Sequence, residues 1–227
     1  MLTFSAYAYM IPNVHAAEPS IQQKGATILS NVIGLDTAKY SIAVKTYQPV
    51  TPASYLGVVP QENVAYDLVS ESNKLTALYT FANGNLQMIH ILENEGTPSM
   101  TKTSSTSTVE KAKDFLSNYQ AYTANPLYGE LKSTLANMDP CKNANKTQGN
   151  TVLQATFDNG YASFKWYYTS NGVEAEYSKT IALVFKDGFL SGFVDNWQFY
   201  NVGGVNVNLT EKDAVAIALE TAITLGA

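Results

Sequence analysis

The residues able to do chemistry are few, and their scarcity limits what this chain can be. The sequence holds two histidines and one cysteine, and beyond residue 16 only His90 and Cys141 remain. A four-ligand structural zinc site would therefore need at least two carboxylates, which is unusual for zinc. A Ser-His-Asp triad would have to use His90, and a Cys-His pair would have to bring Cys141 to it. His90 falls in the alternating run Leu86–Leu92, in phase with Leu86, Met88 and Leu92, which predicts a strand histidine at the rim of a sheet. Cys141 sits in Asp139-Pro140-Cys141-Lys142-Asn143, a polar loop; it reads as an incidental loop thiol, with an intermolecular disulfide as the functional alternative. Glu174 and Glu176 share one strand face, about 7 Å apart, a separation that overlaps the one used in glycoside hydrolysis. Alternating glutamates on a strand also describe an ordinary solvated face. No EF-hand loop, Walker A sequence, dinucleotide fingerprint or nucleophile elbow occurs. The expectation is no catalytic residue, no metal ligand and no cofactor.

Aromatic rows are the feature best suited to binding. Phe164, Trp166 and Tyr168 recur on one face of a strand, and Trp197 and Phe199 on one face of another. Each ring buries a large area, so these rows are expected in the core beneath a helix. The opposite-phase Tyr161, Tyr167 and Tyr200 are then the candidates for an exposed binding surface.

The formal charge is −5, and all 14 basic residues are lysine. Without arginine the chain lacks the fork that reads guanine and grips phosphate in two places, so a nucleic-acid partner is not expected. A protein or peptide partner fits better, with a membrane reached only through an anchor outside this sequence. At the N-terminus, Leu2–Ile11 is apolar but too short to span a bilayer, and Val14-His15-Ala16 suits cleavage after Ala16. Residues 1–16 are thus expected to be a signal peptide, truncated at its basic end, and the protein extracellular or on the cell surface. Two sequons, at Asn145 and Asn208, and 15 tyrosines fit an exported surface.

The elements that must position these residues follow from spacing. Ser20 with Gln23 forms a capping box before Ile21, Ile28, Leu29, Val32 and Ile33, which recur at helical spacing until Gly34. Strands are predicted over 41–48, 64–71, 75–81 and 86–92, with Val50–Gln61, which contains two prolines, as loop or edge strand. Residues 97–107 are a Thr/Ser-rich linker. Ser107 and Glu110 cap a second helix carrying Val109, Ala112, Leu116 and Tyr119, and Asn125-Pro126 opens another short helix. Asp139–Asn150 reads as polar loop, followed by strands over 151–158, 161–169, about 173–185 and 189–202. Asn83-Gly84, Asn159-Gly160, Asn171-Gly172 and Asp187-Gly188 are hairpin turns. Thr210 caps a last helix.

This order, helix–sheet, linker, helix–sheet, helix, repeats. Leu78–Leu86 overlays Ala182–Leu190, matching Phe81 with Phe185, Gly84 with Gly188 and Leu86 with Leu190. The expected fold class is α+β. It comprises two tandem units, 17–96 and 108–207, each with an N-terminal helix on an antiparallel sheet, and a C-terminal helix over 208–227 that could start a third unit. Asn208–Ala222, with its Thr210 cap and alanine-rich amphipathic run, resembles the opening helix of PepSY domains, and Thr108–Tyr122 is similar to it. The Asp187-Gly188 hairpin also resembles that family, so the likeness touches about half the chain. The resemblance implies a small helix-plus-antiparallel-sheet domain of secreted and membrane-anchored proteins, including protease propeptides, where it binds or inhibits. The functional expectation is a non-enzymatic extracellular binding or inhibitory module. The alternatives are a cell-surface structural or adhesive protein and, last, a carboxylate-based glycoside hydrolase.

Overall fold

The computed structural model describes residues 20–50, 59–101, 107–170, 173–175 and 179–198, together with Thr210, Lys212, Asp213, Val215, Ala216 and Leu219. The proposed signal peptide, Tyr200, Asn208, Glu176, Phe199 and the Asn171-Gly172 turn lie outside them. The C-terminal helix is described only at isolated positions, where Lys212, Asp213, Val215, Ala216 and Leu219 are helical.

The chain is α+β, with few helices on one face of a large antiparallel sheet. Helix α1 (Ile21–Thr27) starts where the capping box predicts: Ser20 accepts from the Gln23 N–H, and Gln23 answers to the Ser20 N–H. The helix does not stay α-helical to Gly34; Ile28–Val32 forms a π-helical turn that buries Ile28, Leu29 and Val32. Helix α2 (Thr108–Thr123) is capped by the Ser107 hydroxyl. Here the box is half made, because the Glu110 carboxylate accepts from Lys113 at 2.6 Å. Helix α3 (Leu127–Thr134) follows Pro126.

The strands are β1 (Ser41–Val50), β2 (Gln61–Val69), β3 (Lys74–Ala82), β4 (Asn85–Glu95), β5 (Ala144–Gln148), β6 (Thr151–Asp158), β7 (Tyr161–Ser170), β8 (Val173–Glu174), β9 (Thr180–Lys186) and β10 (Phe189–Asp195). Nine of them run side by side in the order β1-β2-β3-β4-β10-β9-β7-β6-β5, and β8 pairs with the end of β7. Three turns predicted from Asn-Gly and Asp-Gly have positive φ at both central residues: Asn83 and Gly84, Asn159 and Gly160, Asp187 and Gly188. That is the conformation whose twist matches the flanking strands.

The decisive contact is between β4 and β10, where Ile89 faces Phe193 and His90 faces Gly192. It joins strands 41–95 and strands 144–195 into one sheet. The buried side chains form one continuous core between that sheet and the helices, from Ile28 and Tyr66 through Leu116 and Tyr128 to Trp166 and Phe193. The described start of the linker is also tied down: Asp36 donates to the Ser99 carbonyl at 2.8 Å, and Thr101 to that of Gly34 at 2.9 Å.

Several local expectations are corrected. Asp139–Asn150 is not all loop, since Ala144–Gln148 is strand β5, paired with β6. Its polar sequence hides the strand because it is an edge strand, where Lys146 reaches over to donate to the Thr134 and Ala136 carbonyls at 3.2 and 2.6 Å, closing the end of α3. The long strand expected over 173–185 is two, β8 and β9. The last strand ends at Asp195 rather than running through 196–198, where the Asp195 carboxylate accepts the Trp197 N–H at 3.0 Å and turns the chain. A bulge between Thr80 and Phe81 resets β4, so Leu86 shares the buried face with Ile89 and Ile91 while Met88, His90 and Leu92 are exposed on the other.

Candidate functional site

The aromatic rows sort as their phase predicts. Phe164 and Trp166 are fully buried, and Tyr168 packs against the core. The Trp166 indole donates to the Thr134 hydroxyl at 2.8 Å, fixing α3 against β7. Trp197 is also buried. Tyr161 and Tyr167 lie in opposite phase, on the face turned away from α1, α2 and α3, where Tyr161 is 53% exposed. They are six residues apart on β7, roughly 20 Å at strand rise, so one compact ligand does not touch both. Tyr167 donates to Glu174 at 3.4 Å, and the Lys165 ammonium lies 6.0 Å from its ring centroid. Asn145 is exposed on β5, open to modification.

His90 is corrected in place. It is not at the sheet rim but on a central strand, exposed on the face turned away from α1, α2 and α3 and paired with Leu78 and Gly192. Cys141 is exposed and free, its N–H held by the Asp139 carboxylate at 3.0 Å. Glu174 stands exposed on β8. Among the described residues no group of three or more His, Cys, Asp or Glu could hold a metal ion, and no helix is long and apolar enough to cross a membrane.

Sequence reasoning missed a buried, strongly perturbed cluster among the described residues. Asp195, at the end of β10, is 4% exposed. One of its oxygens accepts from the Tyr128 hydroxyl of α3, the other from the Trp197 N–H. Burial pushes its carboxyl above the usual range, opposed by those two hydrogen bonds and by the Lys179 charge. Burial likewise raises the Tyr119 and Tyr128 hydroxyls, whose rings meet edge-to-face at 4.6 Å. Gln198 donates to the Tyr128 oxygen at 3.3 Å. Asp195 and Tyr119 line a cleft of about 420 Å³ together with Val59, Pro60, Asn83, Asn85, Leu86, Thr123, Asn125 and Gln198, and Tyr128 lies behind it, bonded to Asp195. An apolar-phase Tyr128 and a strand-end Asp195 look unrelated in sequence, being 67 positions apart; the only local signal was an aspartate two residues before a tryptophan.

A second groove, about 490 Å³, lies where the Phe185–Leu190 hairpin meets the end of the first helix, with Val32, Ile33, Met100 and Phe115 in its walls. Among the described residues the sheet has two outer strands. β5 has five residues and β1 has ten, and β1 is exposed along nearly its whole length.

No family model matches this chain, and no curated protein matches it. Among solved structures, the Bacillus megaterium YpeB C-terminal domain aligns over 85% of this chain and 72% of its own, at 10% identity and a TM-score of 0.40.

Proposed function

We propose that this chain is an exported, non-enzymatic binding module of two PepSY-like units, which takes an extended segment of a protein partner by strand addition to β1. The observation that carries the reading is the edge itself. Among the described residues β1 pairs on one side only, with β2, leaving a row of main-chain donors and acceptors along ten residues. Lys45, Pro49 and the bulge between Val44 and Thr46 are the devices by which edges resist self-pairing, so a foreign strand must suit them.

The duplication draws support from contacts at equivalent places. Four residues after the Ser20 cap, the Lys24 ammonium donates to the Gly84 carbonyl of the β3–β4 turn at 3.3 Å. Four residues after the Ser107 cap, Lys111 donates to the Gly188 carbonyl of the β9–β10 turn at 2.7 Å. The pairing registers set Tyr66 opposite Ala77 and Trp166 opposite Ile181, at matching distances from Phe81 and Phe185. The last strands of both units, β4 and β10, run antiparallel to each other, as a two-fold relation requires. Export is supported by residues 2–16 and by the accessible Asn145.

The test is selection of displayed ten-residue peptides on the whole chain, followed by amide hydrogen exchange of the complex. Slowed exchange confined to β1, and loss of binding in Thr46→Pro with the far edge variant Thr147→Pro unaffected, is the expected result. Protection elsewhere, with β1 unchanged, refutes it.

A further inference from the structure

We propose that the cleft over Asp195 is a binding site for a neutral polyhydroxylated ligand, the chemistry of a small sugar. Its volume of about 420 Å³ falls in the range, roughly 300–1,000 Å³, of sites for small organic molecules. The described lining contains no lysine and one buried carboxylate; the nearby Lys24 and Lys179 ammonium groups are engaged by the Gly84 and Trp197 carbonyls, so no lining side chain offers a phosphate or carboxylic acid a cationic partner.

What remains is a choice between a cation and a polyol, and the side chains decide it. Four lining residues, Asn83, Asn85, Asn125 and Gln198, are amides, each able to donate and accept. Internal bonds use part of that capacity. Asn125 Oδ1 accepts from the Leu127 N–H at 3.0 Å, which leaves its NH₂. Gln198 gives one N–H to Tyr128, which leaves Oε1 and the second N–H. Asn85 donates to the Asn83 carbonyl at 3.4 Å, which leaves Oδ1. Asp195 accepts two hydrogen bonds from the protein and has lone pairs for more. The open set therefore mixes donors with acceptors. An ammonium, which only donates, would strand the amide N–H groups; a hydroxyl, which does both, satisfies either kind. Pro60, Leu86 and the Tyr119 ring add apolar wall for the C–H face of such a ligand.

The site is separate from the β1 edge, so its failure would leave the strand-addition reading standing. The experiment is saturation-transfer NMR and calorimetry on the whole chain with four probes: glucose, N-acetylglucosamine, gluconate and hexylamine. Each would be present at about 20 mM, well above a millimolar dissociation constant. A neutral sugar binds, gluconate binds at least about tenfold more weakly, and Asn85→Ala/Gln198→Ala, both exposed positions, loses sugar binding about tenfold while still unfolding cooperatively, its Tm lowered by no more than the few degrees that loss of the Gln198–Tyr128 bond accounts for. Asp195→Asn admits gluconate. Silence from both neutral sugars, gluconate or hexylamine binding as tightly as they do, or an unaffected double variant would overturn the assignment.

Discussion

Replacing Tyr128 by Phe removes one hydroxyl and nothing else, yet its cost should depend on pH. That hydroxyl donates to a carboxylate that is 4% exposed. A hydrogen bond to a charged group contributes about 1.5–3 kcal/mol, and one between neutral groups about 0.5–1.5 kcal/mol. Burial raises the Asp195 carboxyl above its ordinary value of 3.8 in the folded protein. The folded state therefore holds this proton more firmly than the unfolded chain. Stability from this group is complete below that ordinary value and is lost as pH rises through the raised one. The Tyr128 bond works against that rise, so its deletion lifts the carboxyl further and deepens the loss at neutral pH. Tyr128→Phe should cost about 2 kcal/mol near pH 7 and about 1 kcal/mol near pH 3.5. At neutral pH that corresponds to roughly 4–8 °C in Tm for a chain of this size. Urea unfolding of wild type, Tyr128→Phe, Asp195→Asn and the double variant at both pH values is the assay. In the Asp195→Asn background the cost of Tyr128→Phe should no longer vary with pH. A cost equal at both pH values in the wild-type background, or still pH-dependent without the carboxyl, would refute the coupling.

Three further perturbations probe other parts of the structure. Among the described residues the buried Tyr79 hydroxyl has no hydrogen-bond partner, so Tyr79→Phe should add about 1 kcal/mol of stability, read as a higher urea midpoint; a loss would mean the hydroxyl is satisfied. A Cβ at Gly25 would stand 2.5 Å from the Tyr66 oxygen and 2.8 Å from its ring, so Gly25→Ala should cost about 1–3 kcal/mol, measured by thermal unfolding. Most of that should return in Gly25→Ala/Tyr66→Leu relative to Tyr66→Leu alone. Lys24→Met and Lys111→Met each delete a helix-to-hairpin bond and should each cost about 1 kcal/mol, with faster amide exchange in the β3–β4 and β9–β10 turns respectively; exchange unchanged in both would show that the lysines do not hold the hairpins.

Legibility in the sequence tracked the range of the interaction. Ser20 and Ser107 announce their helices because a cap is settled within three residues, and the Asn-Gly and Asp-Gly turns are settled by two. Phe164 and Trp166 were readable as core because the two-residue period of a strand sorts its faces whatever lies across from them. The same rule misplaced Leu86 relative to His90, since a bulge against β3 shifts the phase and no residue in 86–92 marks it. Strand β5 was invisible because an edge strand needs no apolar alternation.

The amino-acid sequence alone determined the α+β class, the turns at Asn83-Gly84, Asn159-Gly160 and Asp187-Gly188, and most buried faces, all consequences of residue type and short spacing. Tertiary structure decided what those elements amount to. Only the pairing of β4 with β10 made one sheet of two groups of strands, and only that sheet carried Asp195 beneath Tyr128 and opened the polar cleft beside the Asn83–Leu86 turn. The reason is physical. Burial and desolvation belong to groups brought together from distant positions, and neither the raised carboxyl nor the cleft around it exists until the chain has closed on itself.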